Sequence, residues 1–125
     1  MKSKLYVLED VFTIHRFPPD NEIPIWLFDG PFCHITKTVD EISVICSSSV
    51  QLNSTKSETG WSCIKVLGPL DLSLTGLLAD VLTVLANAKI SIIALSAYDT
   101  DYILVKSEKI NNAIQALRQA EYPFE

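Results

Sequence analysis

The sequence predicts an α+β fold made of two successive antiparallel β-sheet units, the second carrying two helices on one face of its sheet. Three observations predict it. Apolar residues at Leu74, Leu77, Leu78, Val81, Leu82, Leu85 and Ala88 follow the spacing of one helix face. Strand-like runs flank that helix, Trp61–Leu67 before it and Ile90–Ala97 with Tyr102–Lys106 after it. Residues 1–60 show only short strand-like runs, parted by Pro, Gly, Asp and Asn, with no long helical period.

In chain order, Leu5–Leu8 and Val11–Phe17 read as strands, and the charged pair Glu9-Asp10 between them marks a turn or bulge. Pro18-Pro19-Asp20-Asn21 stops this pair, because proline cannot donate to a ladder and Asp and Asn favour turns. Glu22–Asp29 has apolar residues too crowded for one clean face and is read as a helical turn starting near Asp20 or Asn21. Phe32–Thr38 and Ile42–Ser47 form a hairpin around Thr38-Val39-Asp40-Glu41. Ser47–Gly60 is polar and is expected to be a connecting loop with one helical turn near Val50–Leu52.

Trp61–Leu67 alternates as a half-buried strand does, and Gly68-Pro69-Leu70-Asp71 ends it. Asp71 or Ser73 can cap the following helix with a side-chain oxygen. Ile90–Ala97 is nearly all apolar, which predicts cover on both its faces. Tyr98-Asp99-Thr100-Asp101 is the expected turn into Tyr102–Lys106. Ser107 is the expected N-cap of a second helix, Glu108–Ala120, with Ile110, Ala113, Ile114 and Leu117 inward. Glu121–Glu125 is left either to add an edge strand or to fray. The second half thus reads β-α-β-β-α with a short closing β, a ferredoxin-like order, and the first half is a shortened copy in element order only. The expected division is 1–59 and 60–125.

Length and charge narrow the function. A chain of 125 residues with 48% apolar and 20% charged residues suits one domain, or two very small ones, with a true core. The net charge of −5 comes from a surplus of acidic residues in both halves, so neither suits a polyanion, and no nucleic acid is expected as partner. No apolar run is long enough for a signal core or a membrane span, so neither export nor a membrane is expected. Cys33, Cys46 and Cys63 form no CxxC pair and sit among apolar neighbours, as buried reduced thiols of a cytoplasmic protein would.

Catalytic constellations are thin. His15 and His34 lie in separate strands, and Cys33 and His34, being adjacent, point to opposite faces, so no metal site is expected. No serine sits in a nucleophile elbow, there is no phosphate-binding glycine motif, and no catalytic residue or cofactor is expected. The Gly68–Gly76 segment joins a strand to a helix start, where free amides and the helix dipole suit a carboxylate or phosphate. Every strand-to-helix junction shares those properties, so an ordinary β-α loop remains the competing reading.

GPLDLSLTGLLA and ISIIALSAYDTDYILVK, within Gly60–Leu117, resemble an ACT domain of the subgroup that includes small bacterial ACT proteins, aspartate kinase regulatory domains and CASTOR-type arginine sensors. The stretch FPPDNEIPIWLFDGPFCHITKTVDEISVIC resembles the degenerate N-terminal ACT-like subdomain of the same small proteins. The resemblance implies tandem ferredoxin-like (βαββαβ) subdomains, the N-terminal one shortened. It also implies a non-catalytic regulatory module that binds an amino acid or similar zwitterion, with a structural or protein-interaction module as the alternative. Its implied ligand-binding residues are Gly68, Asp71, Leu72, Ser73, Leu74, Thr75, Tyr98 and Asp101. The Asp71–Thr75 amides would cradle an α-carboxylate, Asp101, with Asp71 as a second candidate, would face an amino or cationic group, and Tyr98 would pack over the ligand. A homodimer follows from open sheet edges that a second copy can cover, and a regulated protein partner is implied as the output. Lys89 stands where many relatives carry glycine after the first helix, a position that often needs positive φ.

Overall fold

The computed structural model describes residues 2–67 and 76–125. The chain divides into two compact units, Met1–Glu9 with Trp61–Glu125, and Asp10–Gly60.

The Asp10–Gly60 unit contains β2 (Phe12–Phe17), a 3-10 turn at Ile25–Asp29, β3 (Cys33–Lys37) and β4 (Ile42–Ser47); the short strand before it, β1 (Leu5–Val7), belongs to the other unit. β4 lies between β2 and β3, antiparallel to both, with Phe17 and Lys37 each opposite Ile42. The Thr38 hydroxyl accepts the Asp40 and Glu41 amides, both at 3.1 Å, which closes the expected β3–β4 hairpin. Alternation places Phe17, Ile42, Val44 and Cys46 on one face, where Leu27 from the 3-10 turn joins them in a core. The crowded apolar run thus has one buried anchor, while Ile25, Trp26 and Phe28 remain exposed.

The expected loop over Ser47–Gly60 is only half a loop. No helical turn forms at Val50–Leu52, and β5 spans Lys56–Val66, five residues longer at its start than the alternation of Trp61–Leu67 indicates. The Thr55 amide donates to the Arg16 carbonyl at 3.0 Å, and the Thr13 hydroxyl bonds Ser48 at 2.7 Å and Thr59 at 3.0 Å. Backbone pairing to β2 makes this polar stretch a strand; a strand with exposed side chains leaves no apolar period to read.

In the other unit the strands run β1, β5, β7 (Asp101–Lys106), β6 (Ile92–Ser96), all antiparallel. α1 (Leu77–Asn87) and α2 (Ile110–Gln119) cover one face. Val81, Leu85, Ala113 and Leu117 from the helices meet Ile64, Val66, Ile103 and Val105 from the central strands. β1 pairs with β5, and Glu121–Glu125, left either to add an edge strand or to fray, makes a parallel bridge, Leu5 to Phe124. The Leu5 amide donates to Pro123 and the Glu125 amide to Leu5, both at 2.8 Å, which ties the two chain ends together.

Two further expectations, the Ser107 cap and the cover over β6, are corrected. α1 opens at Leu77 with Gly76 as its N-cap at φ 84, a left-handed backbone that glycine adopts without strain. Asp71 and Ser73, the expected caps, and the Gly68–Thr75 segment as a whole lie outside the described residues. α2 follows a 3-10 turn at Ser107–Lys109, and the Ser107 hydroxyl bonds the Ser62 hydroxyl at 2.8 Å instead of capping the helix. Among the described residues β6 ends the strand order and pairs with β7 alone; Ile92 and Ile93 are half-buried and Ala94 is exposed, not covered on both faces.

Both helices end alike. Lys89, at φ 62, donates its amide to Ala86 at 2.9 Å, and Ile90 donates to Leu85 at 3.0 Å. Glu121, at φ 72, donates to Arg118 at 2.9 Å, and Tyr122 donates to Leu117 at 3.0 Å. These are Schellman closures with a side chain where glycine is favoured. Lys89→Gly should therefore stabilise the protein by about 1 kcal/mol, read as a rise in the urea midpoint with an unchanged slope. Tyr122 then turns inward and its phenol donates to the Asp80 carboxylate, while the Lys2 ammonium lies 4.6 Å over the Tyr122 ring. Burial and the adjacent Asp80 carboxylate push the Tyr122 phenol well above its ordinary pKa, which keeps it a donor.

Candidate functional site

The two candidate site residues within the described chain, Tyr98 and Asp101, stand on the β6–β7 hairpin. The Ala97 amide donates to the Thr100 carbonyl at 2.8 Å and closes a tight turn. Tyr98, at the tip, is 79% exposed. Asp101, which the sequence reading places in the turn, is instead the first residue of β7, half-buried and opposite both Ser96 of β6 and Val66 of β5. Residues opposite one another share a face, and Val66 belongs to the core beneath the helices. The Asp101 side chain therefore lies on the helix-covered side, at the end of the sheet where β5 finishes. No ion pair to Asp101 is present among the described residues. Gly68, Asp71, Leu72, Ser73, Leu74 and Thr75 begin two residues beyond Val66 and lie outside the described residues.

The Asp10–Gly60 unit holds a feature that the sequence reading missed. A cavity of about 210 Å³ is lined by Trp26, Phe32, Cys46, Ser47 and Val50, with Asp10 at its wall. Phe32 packs edge-on against Phe12, with ring centroids 5.1 Å apart. The available signal was a tryptophan in a proline- and glycine-bounded run, which the crowding of apolar residues obscured. Outside the cavity, Ile25 and Phe28 are 82% and 67% exposed, an apolar patch at the surface.

His15 is a structural histidine. It is 95% removed from solvent, with its ring stacked on Phe17 at 6.3 Å between centroids and Nδ1 bonded to Ser54 at 2.9 Å. Its Nε2 is buried without a partner. Burial lowers its pKa from the ordinary 6.5, so the native state favours the neutral ring. The unfolded chain binds the proton first, and stability should fall as pH drops below 6.5 toward the lowered native pKa. Urea titrations at a series of pH values should show that slope in the parent and a smaller one in His15→Phe. Cys63 is wholly buried and Cys46 nearly so, with burial pushing their thiols up to about 12 and about 11. Cys33 is half-buried, less covered than expected. Among the described residues, no cluster of three or more His, Cys, Asp or Glu side chains can hold a metal ion. No helix among them is long and apolar enough to cross a membrane.

Comparison with known proteins bears on these elements. A family profile described as an ACT domain matches residues 56–119, and a second, described as an N-terminal domain, matches residues 10–50. Among curated proteins, none matches the chain. The fold is similar to a crystal structure of an Agrobacterium tumefaciens protein, at 30% identity and a TM-score of 0.90, covering 100% of this chain and 93% of that one. A Vibrio cholerae protein of unknown function, described as a possible transport protein, is similar at 21% identity and a TM-score of 0.72, over 93% of this chain and 88% of its own. The regulatory subunit of aspartate kinase from Thermus thermophilus shares the fold at 11% identity and a TM-score of 0.68, over 95% and 97% of the two chains. The helices over an antiparallel sheet, the matched span and the full-length relative lead to one assignment: the chain belongs to the ACT domain family, whose members are regulatory ligand-binding modules.

Proposed function

We propose that this protein is a non-catalytic regulatory module that binds an amino acid or similar small zwitterion, and that it acts as a homodimer in the cytoplasm. One observation carries the reading: Asp101 stands opposite Val66, at the end of β5 from which the Gly68–Thr75 segment departs. A carboxylate on the helix-covered side attracts a cationic amino group, and desolvation there strengthens the pairing. In this reading the amides of Asp71–Thr75 receive the α-carboxylate, Gly68 allows the chain to turn, and Tyr98 closes over the ligand. In this reading the Asp10–Gly60 unit is the shortened member of the tandem, and Met1–Glu9 with Trp61–Glu125 is the other. The outer edge of β6 supports the dimer, because a second copy can pair with or cover it.

Thermal-shift measurements against the twenty amino acids test the ligand. At a hundredfold excess over Kd, one of them should stabilise the protein by about 2.7 kcal/mol. No shift with any amino acid at millimolar concentration would remove the sensing role. A second reading, a module that binds another protein without a small ligand, is favoured by the exposed Tyr98 and by the Ile25–Phe28 patch. It predicts that Tyr98→Ala alters association with a protein partner and leaves the amino-acid screen flat.

A further inference from the structure

We propose that Cys33 and Cys46 form a thiol pair that a hydroperoxide converts to a cross-strand disulfide. The inference rests on the register of the β3–β4 ladder and is independent of any amino-acid ligand. Cys33, the first residue of β3, is directly opposite Cys46 of β4. Directly paired antiparallel residues have Cα atoms about 4.5–5.5 Å apart, inside the roughly 4.4–6.8 Å that disulfides span. Their side chains emerge on the same face, and Cys33 packs against the core cluster that contains Cys46. Both are free thiols in this structure. Cys63 lies on β5 in the other unit, opposite Leu104, and is wholly buried.

The two thiols differ in access. Cys33 is half-buried on β3, which ends the strand order, so an oxidant reaches it first. Its thiolate attacks the outer oxygen of the hydroperoxide, the O–O bond breaks, and the departing alkoxide takes a proton to become an alcohol. Cys33 is left as a sulfenic acid. The Cys46 thiolate then attacks the Cys33 sulfur, the S–O bond breaks, and hydroxide leaves as water on gaining the Cys46 proton. Two thiols and one hydroperoxide thus yield one disulfide, one alcohol and one water; a dithiol reverses the oxidation. Burial holds both thiols mainly protonated at neutral pH, so the step is slow and answers sustained rather than brief exposure.

The bridge closes a loop of 14 residues and pins an end strand to its neighbour. Cys46 also lines the cavity beside Trp26, so the bridge would alter one wall of it. The test treats the reduced full chain with hydrogen peroxide and follows it by non-reducing peptide mapping and thermal unfolding. A Cys33–Cys46 link within one molecule is expected, with Cys63 still open to alkylation after denaturation. Tm should rise by roughly 5–10 °C and return with dithiothreitol. Cys33→Ser should abolish both the link and the rise, whereas Cys46→Ala should leave a sulfenic acid on Cys33 that dimedone traps. Should Cys46→Ala fail to fold, the Cys33→Ser result decides alone. A link through Cys63, a link between molecules, sulfinic acids without a bridge, or unchanged thiols would each overturn the proposal.

Discussion

Asp101→Ala is expected to weaken binding of the amino acid identified by thermal shift by about 10–100-fold, and to leave the fold intact. A hydrogen bond to a charged group contributes about 1.5–3 kcal/mol, and each 1.4 kcal/mol is about tenfold in affinity. The fold should tolerate the change because Asp101 begins its strand and is half-buried, outside the core beneath the helices. Titration calorimetry on parent and variant measures the first part, and urea denaturation should find stability within about 0.5 kcal/mol. Asp101→Asn keeps the size and removes the charge, so it should lose most of the affinity if the ligand presents a cation. Parent-like binding by Asp101→Ala would remove this residue from the site. A changed dimer constant with unchanged ligand affinity would assign it to an interface.

Leu85→Ala should cost about 2–5 kcal/mol, a large share of the roughly 5–15 kcal/mol that holds a domain of this size. Leu85 is fully buried on α1, one turn after Val81, in the core with Leu117 and Ile103. The loss combines transfer of the deleted groups with a cavity that a helix clamped against a sheet cannot collapse. Leu85→Asp should prevent folding altogether, since no basic side chain belongs to that core to pair with the charge. Leu78, on the same predicted helix face, is only half-buried and should cost less when cut to alanine. Urea midpoints for the two alanine variants check the order; equal losses would show that the helix face is packed differently.

The contrast between these leucines shows how far a sequence period reaches. Spacing identifies the face that α1 turns to the sheet, but burial along that face depends on what lies opposite. Val81 and Leu85 meet Ala113 and Leu117, whereas Leu77 and Leu78 stand at the helix start. Capping was similarly underdetermined. Ser107 precedes a helix and has the right side chain, yet Ser62 on the neighbouring strand takes its hydroxyl. The length of β5 was hidden because Lys56–Gly60 is polar and is held by main-chain pairing to β2 rather than by burial. For the site, the offsets that place Tyr98 and Asp101 on one hairpin were legible, but their unequal exposure was not.

Local chemistry in the chain was enough for the α+β class, the β6–β7 and β3–β4 hairpins, and both helices. Alternation, helical spacing and turn residues act between near neighbours, so they can be read without coordinates. Tertiary structure alone decided that β1 pairs with β5, that β6 ends the order of the described strands, and that Cys33 faces Cys46. It also decided that Asp101 shares the helix-covered side with Val66. Those outcomes depend on which strands meet and in what register, and contacts between residues far apart in sequence set the register.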